Sequence, residues 1–176
     1  SGAHRRYIGD DSTRLQDDLS QLLDGAQILL ANSGTSALEL ALKSIGVSPG
    51  DEIILSGYDY PGNFWIIEQL QCTPVLIDVS PESVDVNIDA LQAARTTKTK
   101  ACIVSHLHGR LQQVDQIRRW ADDCSITLIE DACQALGARI QGRPTTSFGH
   151  MATLSFGGSK VISAGRGGAL VTHDQR

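Results

Sequence analysis

No apolar run in this chain approaches the ~20 residues of a membrane-spanning helix, and the N-terminus carries no apolar signal-peptide core. Charge of one sign is lacking too. The formal net charge of −5 comes from 15 basic and 20 acidic residues that are interspersed, which favours neither a nucleic-acid nor an anionic-membrane partner. The four cysteines (Cys72, Cys102, Cys124 and Cys133) include no C-x-x-C pair, so reduced thiols fit better than disulfides or a zinc site. His106 and His108 share a turn without an evident third ligand, and no metal is expected there. Two nucleotide signatures are also missing. No G-K-[ST] follows the early Ser-Gly-Thr turn, and no G-x-G-x-x-G opens a first strand–helix unit. The expectation is a cytoplasmic protein with no metal, no membrane and no nucleic-acid partner.

What is present points to one α/β domain. The 176 residues are 41% apolar and hold 17 glycines, enough for a real core with many tight turns. Leu15, Leu19, Leu22 and Leu23 form a helical stripe that Ser12 or Thr13 would cap, ending near Gly25. Ile28 to Ala31 reads as a strand, followed by a helix with Ala37, Leu38, Ala41, Leu42 and Ile45 on one face. Further strands are expected at 52–56, 74–78, 101–107 and 126–129, and helices at 63–70, around Leu91 and at 114–123. Asn87 or Asp89 would cap the helix around Leu91. Segments 138–140, 152–156 and 169–172 look like later strands. Strands separated by helices imply crossovers and a mostly parallel sheet covered on both faces, a three-layer αβα fold. Ligands of such sheets sit at the carboxyl ends of strands. Ser33-Gly34-Thr35, 56–61, 106–109 and 131–134 each follow an expected strand.

Three parts on that edge suggest chemistry. Ser33-Gly34-Thr35-Ser36 offers backbone N–H groups and hydroxyls at a helix start, where a phosphate is favoured; an ordinary helix cap would read the same. Asp131 ends the apolar strand before Ala132-Cys133-Gln134 and suits a protonated pyridine nitrogen, or else caps the following turn. Glu130 should point to the opposite face. Lys160 lies between Ser155-Phe156-Gly157-Gly158-Ser159 and Gly165-Arg166-Gly167-Gly168, a place where an amine can attack an aldehyde; many such lysines are only surface charges. Together the three are what a pyridoxal 5′-phosphate (PLP) site requires. Tyr58 and Tyr60, on either side of Asp59, offer a ring for stacking, and Gln134 a hydrogen bond to a ring substituent or to backbone.

The motifs S-G-T-S-A-L at 33–38, P-G-D-E-I-I at 49–54, T-P-V-L-I-D-V at 73–79 and S-H-L-H-G at 105–109 occur in that order. They are followed by I-E-D-A-C-Q-A at 129–135, S-F-G-G-S-K at 155–160 and G-R-G-G-A-L-V-T at 165–172. In order and spacing the chain resembles the DegT/DnrJ/StrS family of PLP-dependent aminotransferases, over nearly its whole length. The resemblance implies the large domain of the aspartate-aminotransferase-like fold (fold type I), its mixed sheet holding one antiparallel strand. It makes residues 1–176 the PLP-binding large domain of a longer enzyme, with the small C-terminal domain absent. It implies Lys160 as the residue that forms the internal aldimine, Asp131 as the partner of the pyridinium nitrogen and Gln134 beside the ring. Gly34, Thr35, Ser36 and Ser155 would contact the phosphate, and Tyr60, rather than Tyr58, would stack on the ring.

The implied activity is transfer of an amino group from glutamate or glutamine to a keto-sugar, nucleotide-linked, or a related cyclic ketone, in a homodimer. Two alternatives are a PLP-dependent sugar dehydratase, in which histidine would replace Lys160, and a degenerate binding or regulatory domain. Members of the family commonly carry His-Pro before the lysine region and Gly-Glu-Gly-Gly after it. Here Gly157-Gly158 and Gly165-Arg166-Gly167-Gly168 stand in those places, which puts a substrate or subunit contact at Arg166 in question.

Overall fold

The computed structural model describes residues 10–174; the first nine and last two residues of the expected 1–176 domain lie outside the described residues. Helix α1 spans Asp11–Leu22, followed by β1 (Gln27–Ala31), α2 (Gly34–Ser44), β2 (Glu52–Ser56), α3 (Pro61–Gln69) and β3 (Thr73–Ile77). Then come α4 (Ile88–Ala94), β4 (Thr99–Ser105), α5 (Val114–Asp123) and β5 (Thr127–Asp131). A two-stranded hairpin, β6 (Arg139–Ile140) with β7 (Arg143–Pro144), stands apart from the main sheet, which β8 (Met151–Ser155) and β9 (Gly168–Thr172) complete.

Among the described residues the main sheet has seven strands in the order β1-β9-β8-β5-β4-β2-β3. The pairs from β8 through β5, β4 and β2 to β3 are parallel, while β9 runs antiparallel to both β8 and β1. One reversed strand in an otherwise parallel sheet is the mixed arrangement expected.

Alternation along the strands divides the core. Ile53, Leu55, Ala101, Ile103 and Ile129 pack with Leu38, Leu42, Ile66 and Ile67 of α2 and α3. Their neighbours Ile54, Cys102, Val104 and Leu128 face Leu91 of α4 and Ile117, Trp120 and Ala121 of α5. Ala152 and Leu154 of β8 meet Leu19 and Leu23 at the α1 end, while Met151 packs with the α2 and α3 cluster. Helices α1, α4 and α5 thus cover one face and α2 and α3 the other. This is the three-layer fold that near-continuous apolar strands require.

Three local expectations are corrected or decided. Ser12 and Thr13 lie inside the first turn of α1, which begins one residue earlier; Asp10 holds the cap position and makes no side-chain capping bond. Strand β4 stops at Ser105, and Leu107 belongs to a short 3-10 turn that follows. There His108 adopts φ 56°, a left-handed conformation that ends the strand direction. Asn87, not Asp89, caps α4, its Oδ1 accepting from the Asp89 and Ala90 N–H groups at 2.7 and 3.4 Å. All four cysteines are free, with Cys72 and Cys102 buried and Cys124 and Cys133 partly so.

Candidate active site

The carboxyl ends of β1, β4, β5 and β8 lie at one edge of the sheet, where a cavity of about 530 Å³ opens. At one end of it is the start of α2. Ser33 is extended, with φ −164° and ψ 169°, and its Oγ accepts from the Ser36 N–H at 3.0 Å. That bond caps the helix and leaves the first N–H groups of α2 aimed outward. Gly34 and Thr35 line the cavity; Ser36 does not, and its hydroxyl is 3.1 Å from Ser33 Oγ. A Cβ on Gly34 would lie 2.6 Å from Cys133 Sγ and 3.1 Å from Ser155 Cβ, so only glycine lets α2 approach β8 so closely. Gly168 is crowded in the same way by the backbone of Ser33, which fixes the start of β9 against this turn.

Asp131, at the end of β5, is buried with its carboxylate held on both sides. Oδ1 accepts from the Cys133 N–H at 3.0 Å and is 3.5 Å from Thr153 Oγ1; Oδ2 accepts from Asn63 Nδ2 at 2.9 Å. Burial, then the adjacent Asp131 charge, push the Cys133 thiol well above its ordinary value, so this cysteine is a neutral packing group. Glu130 points to the opposite face as alternation requires, and is fully buried.

Lys160 lies on the loop after β8, with its N–H donating to the Gly157 carbonyl at 3.0 Å and its side chain lining the cavity. Its Nζ is 5.9 Å from the centre of the Tyr60 ring. Tyr60 lines the cavity, whereas Tyr58 lines a smaller neighbouring one and places its hydroxyl 3.2 Å from His108 Nε2. A Cβ on Gly62 would strike the Tyr60 ring, so glycine there lets the ring fold back toward the start of α3. Ser155 and Gln134 also line the cavity. Gln134 Oε1 accepts from the His108 N–H at 2.6 Å, a bond to backbone that ties the residue to the turn after β4.

Of the expected site residues, Gly34, Thr35, Tyr60, Asp131, Gln134, Ser155 and Lys160 therefore share one cavity, and Ser36 supports its wall from behind. Sequence reasoning missed Asn63, Asp59 and Ser105. Asn63 Nδ2 is 2.9 Å from Asp131 and 3.1 Å from Asp59 Oδ1, while Ser105 Oγ donates to Asp59 at 2.7 Å. A signal existed for Asn63: it precedes Ile66 and Ile67 by three and four residues, so it shares their buried helix face. A polar residue there needs a buried partner.

The donor set fits PLP on the structure's own terms. Helix N–H groups and Ser155 suit a phosphate, a held carboxylate suits a pyridinium, an aromatic face stands alongside, and the lysine lies across from it. Residues 2–176 match the model of the DegT/DnrJ/EryC1/StrS aminotransferase family. The chain belongs to that family. As a DegT/DnrJ/EryC1/StrS chain it is 38% identical to an L-glutamine:2-deoxy-scyllo-inosose aminotransferase of Streptomyces kanamyceticus, the match covering 85% of this chain and 35% of the relative. It is also 38% identical to a GDP-perosamine synthase of Caulobacter vibrioides, over 83% of this chain and 39% of that protein. Among solved structures it superposes on a 3-amino-5-hydroxybenzoic acid synthase with a TM-score of 0.91 at 32% identity, covering 96% of this chain and 44% of that one. The PLP form of a putative sugar aminotransferase of Streptococcus pneumoniae matches with a TM-score of 0.87 at 27% identity, over 96% and 47%. The chain spans less than half the length of these family relatives.

Proposed function

We propose that this chain, taken as residues 1–176, is the PLP-binding large domain of an aminotransferase. The reaction moves an amino group from glutamate or glutamine to a keto-sugar, nucleotide-linked, or to a related cyclic ketone. The observation that carries this reading is the convergence of Asp131, Lys160 and the amino end of α2 on one cavity. Relatives that use L-glutamine with a keto-inosose, or that make GDP-perosamine, support the donor and acceptor classes.

When bound, PLP supplies an electron sink for charge developing at the donor's α-carbon. The residues of this chain do the rest. The Ser33-Gly34-Thr35 turn and Ser155 would hold the phosphate, and Asp131 would keep a proton on the ring nitrogen through its opposite charge. Tyr60 would offer its face to the cofactor ring and limit that ring's tilt in the cavity. The Lys160 amine would hold the cofactor's aldehyde and, when free, would serve as the base that takes a proton from the donor's α-carbon. A lysine at 160 favours amino transfer over the dehydratase alternative.

The protein is further read as a cytoplasmic homodimer whose site is completed beyond this segment. The complete protein with PLP should aminate a nucleotide keto-sugar or cyclic ketone with glutamate or glutamine as donor, followed by mass spectrometry of the product. Failure with every such pair would refute the reading. Light scattering tests the dimer separately. The 176-residue segment alone should turn over well below ~1 s⁻¹.

A further inference from the structure

A second carboxylate stands behind Asp131, on the wall of the smaller neighbouring cavity. This is Asp59, in the loop between β2 and α3; it is mostly buried, and the two share a single donor group. The Asn63 amide nitrogen donates to Asp59 Oδ1 at 3.1 Å and to Asp131 Oδ2 at 2.9 Å. An amide NH₂ has two protons, so this arrangement spends one on each carboxylate and fixes which end of the Asn63 carboxamide faces them. Asp59 is itself anchored: its Oδ1 accepts from the Tyr60 N–H at 2.6 Å, and Ser105 Oγ lies 2.7 and 2.9 Å from its two oxygens.

We infer that Asp59 and Asn63 are a positioning pair for Asp131, holding its carboxylate toward the ring nitrogen of the cofactor and adding a second negative charge behind it. The inference rests on the PLP reading of the cavity. Two like charges repel, and the shared amide is what lets both stay close. With Oδ2 tied to Asn63 and Oδ1 to the Cys133 N–H, Asp131 cannot rotate without breaking one bond or the other. Asp59 in turn keeps Asn63 from presenting its carbonyl oxygen, which would repel Asp131. The Asp59 charge also adds to the field that favours a cationic ring nitrogen. The other titratable groups facing Asp59 are the buried Cys102 thiol on β4 and, across the small neighbouring cavity, Tyr58, His108 and Arg110, the last paired with Asp85.

The test uses the complete protein loaded with PLP, in wild-type form and as Asp59→Asn, Asn63→Ala and Ser105→Ala. Borohydride reduction and peptide mapping first establish that each carries a pyridoxyl label on Lys160. The pH midpoint of the visible absorbance change is then measured with kcat, KM and PLP affinity. Removing the Asp59 charge, or the amide that transmits its position, should lower the midpoint by about one unit and kcat at least tenfold, with PLP affinity nearly unchanged. Ser105→Ala, a small change that loosens Asp59 and removes a weaker 3.4 Å acceptor of the Asn63 amide, should shift the midpoint the same way by less; it serves if a larger substitution fails to fold. Normal labelling with wild-type midpoint and kcat in the variants would overturn the positioning role while leaving the PLP reading intact. Absence of the label from wild type would instead refute the PLP reading, and the positioning role with it.

Discussion

His106 Nε2 faces Glu130 Oε2 at 3.2 Å with both side chains fully enclosed. His106 Nδ1 accepts from the Gln112 N–H at 3.2 Å, which leaves the ring proton on Nε2 to donate to Glu130. The other Glu130 oxygen accepts from the Phe148 and Gly149 N–H groups at 2.8 and 2.5 Å. This carboxylate ties β4, β5 and the turn before β8 together on the face away from the cavity. Glu130→Gln places an NH₂ group where at least one donor already points, so a buried N–H loses its acceptor. It should destabilise the fold by about 2–4 kcal/mol, measured by urea unfolding at neutral pH.

Asp131→Asn should leave PLP bound, because the phosphate cradle is untouched, yet lower turnover by at least ~10²-fold. Asparagine fills the same space without the negative charge that holds the ring nitrogen protonated. Steady-state kinetics of the complete enzyme at saturating PLP checks this; wild-type rates would reduce Asp131 to a turn cap.

Borohydride treatment of the PLP-loaded protein should place the pyridoxyl label on Lys160, and Lys160→Ala should abolish it. The α-proton transfer should become essentially undetectable in that variant, since attachment and proton carriage are lost together. A label on Lys43, Lys98 or Lys100 instead would overturn the assignment.

Burial raises the Asp59 carboxyl to about 6, against lowering by Ser105 and the Tyr60 N–H, and the Asp131 charge adds to the rise. Below about pH 4 the group is protonated in folded and unfolded chains alike and contributes nothing. As pH climbs toward 6 the unfolded chain releases this proton first, so folding loses stability, and the loss is complete above the folded pKa. Asp59→Asn removes that dependence. Relative to wild type the variant should gain on the order of 2 kcal/mol between pH 4 and 7.5 in urea unfolding, even where its catalytic rate falls. A difference independent of pH would contradict the burial argument.

Gly34→Ala should weaken PLP binding and cost about 1–3 kcal/mol of stability, because the new methyl meets Cys133 Sγ and Ser155 Cβ. Adding Cys133→Ala should recover part of that loss, a coupling that a double-mutant cycle measures directly.

The parts legible in the sequence were those written locally. The helix cap at Ser33, the apolar runs of β2, β4 and β5, and the lysine five residues beyond Ser155 need only neighbours in the chain to be read. Ser12 and Thr13 look like caps in the sequence, yet the backbone turns helical before them. Leu107 continues the apolar pattern of β4 past its true end, and only the left-handed His108 shows where the chain bends. Asp59 and Asn63 escaped notice for a different reason. Asn63 meets Asp131 across 68 positions of sequence, and no periodicity encodes such a meeting. The pairing exists only because α3 packs beneath the ends of β4 and β5.

The reversed strand β9 makes the cavity a late product of synthesis. Strand β1 precedes the other strands of the sheet in the chain, yet among the described residues its sheet neighbour is β9, with Gln27 opposite Thr172 and Ala31 opposite Gly168. Until residue 172 has left the ribosome, β1 lacks the β9 ladder, and the Ser33 turn lacks the Gly167 and Gly168 backbone that presses against it. The phosphate end and the lysine end of the cavity are thus closed by the same event, and a nascent chain stopped before Gly168 would offer the cofactor no formed place to bind.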